Sequence, residues 1–435
     1  MDHLSQVSLV ILCVLLGAMA VTVPVFICLV FTALAGFLLF TNVSPLLVAE
    51  SLFRSLDNFS LVVVLFFILC GNIMTSGSIV AKLVRLANVL VGWLPGGLAM
   101  AGVLACGLFG AISGSTVATV VAIGGFMIPA LMDNKYGEKF SIGCMTAAPN
   151  LGVIIPPSIS MILYSMVSAV SLEGLFLTGF LPGVLIMAGM CGYAYIWARL
   201  SPGFIQAPRP TLKEAADALA KGFWALMLPV IIFGGIFSGV FTANEAAVVA
   251  CVYALLVELF IHRSIGFKTV RTVMVNSAVT SATLLIIVAG ATTFGRFLTL
   301  EAIPAKISEV VVTAIESPWM FLLAVNILLL IVGMFMDIIS ATLILGPIFL
   351  PMLDKYGVNP VHFGLLMTVN LAIGYCTPPL GVSLYITGSM TGRDLVYVSR
   401  AVMPWLLIQI AVLFLCTYWA DMVLWLPRLM GWNVG

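Results

Sequence analysis

Two proline pairs, Pro156-Pro157 and Pro378-Pro379, lie inside long apolar runs, and they limit what this chain can become more than any other feature. Proline has no N–H and clashes with the carbonyl four residues back, and the residue before it is pushed out of the helical region. A helix should therefore break at each pair. The carbonyls released from helical bonding fall near Gly152 and Val153 in the first case and near Gly374 and Tyr375 in the second. In hydrocarbon such groups are tolerated only if buried in protein or turned toward a wet cavity or an ion. The surroundings are hydrocarbon: 62% of the 435 residues are hydrophobic and 8% are charged, far below the roughly 25% charged content of soluble domains.

The proline pairs belong to two editions of one pattern, Gly110 to Tyr164 and Gly333 to Ile386. The first has Ser113 to Thr116, then Pro129, Lys135-Tyr136-Gly137, Gly152 and its prolines. The second has Asp337 to Thr342, Pro347 and Pro351, Lys355-Tyr356-Gly357, Gly374 and its prolines. Interrupted apolar segments at matching places in two halves are the best sequence pointer to a transporter's site, where half-helix ends and free carbonyls hold a cation. The expected fold is an all-α polytopic membrane protein with a two-fold repeat, two re-entrant helical hairpins and two broken helices. An odd number of crossings between equivalent points makes such a repeat inverted, which is the expected arrangement.

Taken in order, Ser8 to Phe40 is long enough for two crossings parted near Val23-Pro24, at about 20 residues per span. Glu50, Arg54 and Asp57 mark a loop or an interfacial helix, Phe59 to Met74 the next span, and Ile79 to Leu94, with Lys82 and Arg85, an arm lying along the interface. Gly97 to Ile112 and Val117 to Leu131 make the first hairpin, with Ser113-Gly114-Ser115-Thr116 at its tip. Phe140 to Ile155 and Pro156 to Val170 make the first broken helix, and the proline pairs suit the first turn of each new half. Leu175 to Trp197 is a span. Arg199 to Lys221 is a polar linker whose cations, with Arg263, Lys268 and Arg271, place it on the cytoplasmic side.

Phe223 to Val240 and Ala246 to Ile261 follow as spans, Gly266 to Val275 as a second arm, Ser277 to Phe297 as a separate crossing and Ala305 to Ile315 as a short amphipathic piece. Trp319 to Phe335 and Ala341 to Leu353 form the second hairpin around Met336 to Ser340, Phe363 to Thr377 and Pro378 to Ser389 the second broken helix, and Pro404 to Trp425 the last span. The N-terminus lacks a basic n-region and runs straight into further apolar sequence, so a retained first span is expected rather than a cleaved signal.

Asp337 is the carboxylate to explain, because an acid within apolar sequence costs about 2.5 to 3.5 kcal/mol at a helix centre unless paired or ion-bound. At a hairpin tip it neutralises a cation or caps the next helix. Ser113 to Thr116 offers hydroxyls and flexible backbone for a hard monovalent cation, or small residues for close helix packing. Ser158 and Thr377 flank the breaks. Asn150 and Asn370 bridge the site or bond across helices, and Arg296 and Glu301 meet an anionic substrate or snorkel at an interface. Other classes are disfavoured. His3, His262 and His362 are too scattered for a metal cluster, the cysteines lack paired spacing, a Walker A run and a nucleophile elbow are missing, and a net charge of +1 gives no reason to expect nucleic acid. An intramembrane hydrolase using Asp337 or Ser113 lacks a second acid.

GAISGSTVATVVAIGGFMIPAL, NLGVIIPPSISMILY, FLTGFLPG, GMFMDIISATLILGPIFLPML and GYCTPPLGVSLY resemble, in order and from about Pro24 to Trp425, the large membrane subunit of tripartite ATP-independent periplasmic (TRAP) transporters. The resemblance implies a sodium-coupled importer of small organic anions, such as C4-dicarboxylates, sialic acid or sulfonates, in the bacterial inner membrane. It implies no enzyme activity and no cofactor beyond coupling sodium ions. The implied partners are a small membrane (Q) subunit of about four helices, a periplasmic substrate-binding protein and membrane lipid. A stand-alone sodium-coupled dicarboxylate carrier of related elevator fold is the alternative.

The resemblance also implies an elevator. Residues 1–96 would be scaffold with the first arm, 97–174 the first transport repeat, 175–276 scaffold with the linker 199–221 and second arm, 277–400 the second transport repeat and 401–435 the C-terminal helix. Carried over by residue, one sodium site involves Ser113, Gly114 and Ser115 with carbonyls near Asn150 and Gly152. The other involves Gly333, Asp337, Gly374 and Thr377. The anion lies between, near Thr116, Pro156, Ser158, Ser340, Pro378 and Gly381, with the half-helix starts at Ser158 and Gly381 favouring negative charge.

Overall fold

A computed structural model describes residues 23–432 apart from 42, 43, 45 and 202–206, and also residues 14, 17 and 18. The first of the two crossings expected within Ser8 to Phe40 therefore lies almost wholly outside the described residues; the second is α1 (Val25–Phe40). Among the described residues every regular element is helical, and nine helices are long and apolar enough to cross a membrane. The protein is a polytopic membrane protein.

The segment around Glu50 is helix α2 (Leu46–Leu56), supported one turn apart by the Glu50–Arg54 ion pair at 2.9 Å. After α3 (Leu61–Ser76) comes α4 (Ile79–Val91), the expected arm. Its first turn has N–H groups without helical partners, and buried Glu258 supplies them: its carboxylate accepts the amides of Ser78 and Ile79, both at 2.7 Å. On the exposed side Arg85 reaches Asp217 at 2.8 Å, tying the arm to a later helix.

The first hairpin is α5 (Gly97–Ser113) and α6 (Thr116–Asp133), the latter carrying a π-helical turn at Val120–Gly124. The first broken helix runs as α7 (Glu138–Ala147) through a 3-10 turn into α8 (Leu151–Ile154), then stops, and resumes as α9 (Ile159–Ser168). Then come α10 (Leu172–Leu200), α11 (Leu212–Phe237), α12 (Ala243–Leu256) and α13 (Phe267–Leu300). Short α14 (Ile303–Ala314) leads to the second hairpin, α15 (Pro318–Phe335) and α16 (Ile338–Tyr356). The second broken helix is α17 (Pro360–Gly374) and α18 (Val382–Thr391), and the chain closes with α19 (Leu395–Tyr418) and α20 (Ala420–Leu429).

Four expectations need correction. The prolines do not start the new half-helices: helix resumes at Ile159 and Val382, after residues in extended or irregular backbone. Two successive residues without N–H, each restricting the one before it, keep the chain extended until a cap is reached. The linker is shorter than Arg199 to Lys221, because Thr211 and Glu214 form a capping box that starts α11 at Leu212. The second arm and the following crossing are one 34-residue helix; Thr280 and Thr283 donate their hydroxyls to carbonyls one turn back, so polar residues there leave the helix intact. The last span starts at Leu395 and absorbs Pro404 in its interior, then parts at Trp419. A single proline costs one helical bond that neighbouring groups in a bundle replace.

The two notched units clasp one another. The far half of the first, α9, packs on α16 of the second hairpin, while α18 packs on the start of α6 in the first. Meanwhile α13 runs beside α1, α2 and α3 and also touches α16.

Candidate functional site

Each hairpin lies against a broken helix through a pair of glycines. A Cβ on Gly374 would come within 2.6 Å of the Gly333 Cα, and a Cβ on Gly110 would collide with the Gly152 Cα. Backbone thus meets backbone at corresponding places in the two units. This contact holds the first tip against the first break.

There α5 ends at Ser113, Gly114 turns left-handed (φ 60°), and Ser115 becomes the N-cap of α6 by accepting the Ala118 amide at 3.3 Å. Glycine is needed at 114, since a Cβ would also lie 2.7 Å from the Pro157 carbonyl. The Ser115 carbonyl accepts the Thr119 hydroxyl at 2.7 Å, and a Cβ on Gly152 would fall 2.6 Å from that hydroxyl oxygen and 3.0 Å from that carbonyl. The Gly152 and Val153 carbonyls look four residues ahead to Pro156 and Pro157, which carry no N–H. Ser113 and Thr116 have buried hydroxyls without a partner among the described residues. Several oxygens, some of them uncommitted, thus gather at one tip.

The second tip is bound differently. Asp337 is the N-cap of α16, accepting the Ser340 amide at 2.9 Å and its hydroxyl at 2.6 Å, while the Ile338 amide donates to the Tyr375 hydroxyl at 3.0 Å. The carbonyls expected to be released here are reused: Gly374 accepts the Thr377 amide and Tyr375 the Ser383 amide, both at 3.0 Å. The chain turns tightly enough to supply one N–H just before the prolines, from Thr377, and one beyond them, from Ser383. Gly381, the N-cap of α18, permits the turn, since a Cβ would stand 2.6 Å from the Tyr375 carbonyl. Thr377 donates its hydroxyl to the Ile373 carbonyl at 2.8 Å.

Both tips open on one cavity of about 630 Å³. Of the expected residues, Ser113, Gly114, Ser115, Thr116 and Asp337 line it. Asn150, Gly152, Pro156, Ser158, Gly333, Ser340, Gly374, Thr377, Pro378 and Gly381 are not among its lining residues. Asn150 bonds across helices, donating to the Gln409 side-chain oxygen at 2.8 Å, and Asn370 donates to that of Asn326 at 2.7 Å. Sequence reasoning missed Asn72, Thr75, Ser160, Thr280 and Tyr375 in the wall. Asn72 alone carried a signal, a polar amide inside the apolar run Leu61–Ser76; it donates to Ser277 at 2.9 Å.

The electrostatics of this cavity come from backbone. Among the described residues Asp337 is the one in the lining with a formal charge, and the lining includes no lysine or arginine. Three helices begin at its wall, α6 at Thr116, α9 at Ile159 and α16 at Ile338. Ser115, Ser158 and Asp337 each cap one amide of these termini, and the first-turn N–H groups left over, with the positive dipole end, are the usual backbone answer to an anion. The expected start at Gly381 is not among them. Oxygen-rich turns beside converging N-termini suit a cation and an anion held close together.

A many-helix membrane protein with paired hairpins and broken helices around a shared cavity has the build of a transporter. The same fold occurs in the YdaH transporter of Alcanivorax borkumensis, whose crystal structure matches 87% of this chain and 88% of its own with a TM-score of 0.62 at 16% identity. The chain belongs to the family described as the tripartite ATP-independent periplasmic transporter, DctM component, which it matches over residues 12–422. Proteins named C4-dicarboxylate TRAP transporter large permease protein DctM are similar: that of Pseudomonas aeruginosa is 41% identical over 91% of this chain and 92% of its own, and that of Rhodobacter capsulatus 38% over 98% and 99%. The isethionate TRAP transporter permease protein DctMQ of Oleidesulfovibrio alaskensis is 38% identical over 92% of this chain and 63% of its own length.

Proposed function

We propose that this chain is the transport-bearing large subunit of a sodium-driven importer of small organic anions in the bacterial inner membrane. The observation that carries the reading is the shared cavity, with two oxygen-bearing tips, three helix N-termini and a single carboxylate. An anion entering it meets no cationic side chain, so sodium ions at the tips supply the neutralising charge. Coupling follows, because substrate without sodium would leave Asp337 and the anion facing each other unscreened in a low-dielectric site.

One ion lies at Ser113, Gly114 and Ser115 with carbonyls near Asn150 and Gly152, a reading supported by the unpartnered Ser113 hydroxyl. The second lies at Gly333, Asp337, Gly374 and Thr377, where the carboxylate is the strongest donor. The anion lies between them, with Thr116, Ser158 and Ser340 nearest and Pro156, Pro378 and Gly381 shaping the breaks. Substrates are carboxylates or sulfonates, in keeping with the C4-dicarboxylate and isethionate named for the relatives.

The repeat is inverted in this reading: between the hairpins lie five spans, Glu138–Ser168, Leu172–Leu200, Leu212–Phe237, Ala243–Ile261 and Phe267–Leu300, an odd number. Residues 97–174 and, of the expected 277–400, the part after α13 form the unit that moves as an elevator against a scaffold of 1–96 and 175–276; α13 is one helix from Phe267 to Leu300 that packs on α1, α2 and α3, so it stays with the scaffold. Helix α19, in the segment 401–435 and just before it, packs on α7 and travels with the moving unit. A small Q subunit and a periplasmic binding protein complete the transporter; the relative named DctMQ, a third of which lies beyond the match, supports the first of these.

The test is uptake of labelled succinate into proteoliposomes holding this chain, its small subunit and its binding protein. Uptake should follow an inward sodium gradient and vanish in Asp337→Ala while the complex stays assembled. Transport undiminished without sodium would sink the coupling, and equal uptake by this chain alone would favour the stand-alone carrier.

A further inference from the structure

A second cleft, of about 520 Å³, lies further along helices that wall the central cavity. Its wall contains Arg296, Ser51, Arg54, Asp57, Met166 and Leu343. Helix α13 contributes Thr280, Leu284 and Ile287 to the central cavity and Ala291, Gly295 and Thr299 to this cleft. Those positions recur every three or four residues, so they share one face. From Ile287 to Gly295 the face advances by about 12 Å. Helices α9 and α16 do likewise, giving Ser160 and Ile339 to the cavity and Met166 and Leu343 to the cleft.

The cleft holds what the cavity lacks. Arg296 is exposed on α13 and donates to the Ser51 hydroxyl of α2 at 2.9 Å. Among the described residues no carboxylate pairs with it, whereas Arg54 nearby is taken by Glu50 at 2.9 Å. Asp57 also lines the cleft and, among the described residues, forms no ion pair. The cationic end of α13, at Lys268 and Arg271, is cytoplasmic by the positive-inside rule, so Arg296 lies toward the opposite face.

We infer that Arg296 is a scaffold-borne binding group for the carboxylate of the incoming anion, engaged when the moving unit stands toward the outer face. This rests on the transport reading above. A slide of α9 and α16 by about 12 Å along α13 brings Ser160 and Ile339 level with Gly295 and Arg296. The anion then has a guanidinium partner on arrival and loses it as the unit moves inward, leaving the helix N-termini and sodium ions to carry the charge. An attraction confined to the outer position assists loading without holding the anion back at release. The competing explanation is an arginine that merely snorkels near the end of its helix.

The experiment uses the assembled transporter with its binding protein in proteoliposomes and succinate as the probe. Arg296→Gln should raise the half-saturating concentration of succinate-loaded binding protein about tenfold or more, as for a lost charge-assisted bond, with the maximal rate within about twofold. Arg296→Lys should recover most of the loss, and Ser51→Ala should change little. On the purified complex, phenylglyoxal labelling of Arg296, read by peptide mass spectrometry, should slow severalfold with succinate and not with glucose. A normal half-saturation in Arg296→Gln, or labelling indifferent to succinate, overturns the inference while leaving the transporter reading intact. A wild-type complex that takes up neither succinate nor any other small carboxylate or sulfonate under a sodium gradient overturns both.

Discussion

The glycine pair at the second break allows a sharp test of how the hairpins are seated. In Gly374→Ala the new Cβ would stand 2.6 Å from the Gly333 Cα and 2.7 Å from its carbonyl carbon. Carbon atoms rest at about 3.5 to 4.0 Å, so α15 and α17 must part by about 1 Å, and no flexible side chain is there to yield. Overpacking of this kind costs about 1–3 kcal/mol. The displacement falls beside Asp337 and Thr377, so sodium-driven uptake should fall far more than stability. Gly192→Ala is the control: nothing lies within 4 Å of its Cβ, and it sits inside α10, where alanine gains up to about 1 kcal/mol over glycine. Denaturant unfolding in detergent followed by tryptophan fluorescence, beside succinate uptake, separates the two. If Gly374→Ala behaves like Gly192→Ala in both assays, the backbone contact is not what positions the tip, and the reasoning fails.

Three further outcomes are expected. Asp337→Asn keeps a side chain able to cap α16, so stability should hold while sodium-dependent uptake is lost; Asp337→Ala should lose uptake and also about 0.5–2 kcal/mol of stability. Equal stability of the two would argue against the cap. Ser113→Ala removes a buried hydroxyl that has no partner among the described residues, so unfolding should be unchanged or later, yet the sodium concentration for half-maximal uptake should rise severalfold; an unaltered sodium response would remove Ser113 from the proposed ion site. Asn150→Leu strands the Gln409 side-chain oxygen in a buried position and should cost about 1–3 kcal/mol in the unfolding assay, whereas a stability gain would show the amide bridge to be dispensable.

Much of this organisation was legible in local chemistry. A missing N–H is a property of proline itself, so both breaks could be read at Pro156-Pro157 and Pro378-Pro379, whereas the Thr-x-x-Glu box that starts a helix at Thr211 was passed over within the expected linker. Where the reading slipped, the competing effect was also physical. Threonine hydroxyls bonding back along α13 let polar residues continue a helix that looked like two. The turn after Gly374 found N–H donors on either side of the prolines, at Thr377 and Ser383.

What the chain alone determined, then, was where helices must stop and which residues sit at the stops, because those depend on atoms within a few positions of one another. Which stops face each other was decided only in three dimensions. The Asn150–Gln409 bond joins residues 259 apart and the Ser160–Thr368 bond residues 208 apart, and it is such contacts that carry α6, α9 and α16 to one cavity and line up Arg296 beyond it. Helix propensity has no term for that. Packing between distant segments, with glycine against glycine at its closest point, sets where the charges and dipoles meet.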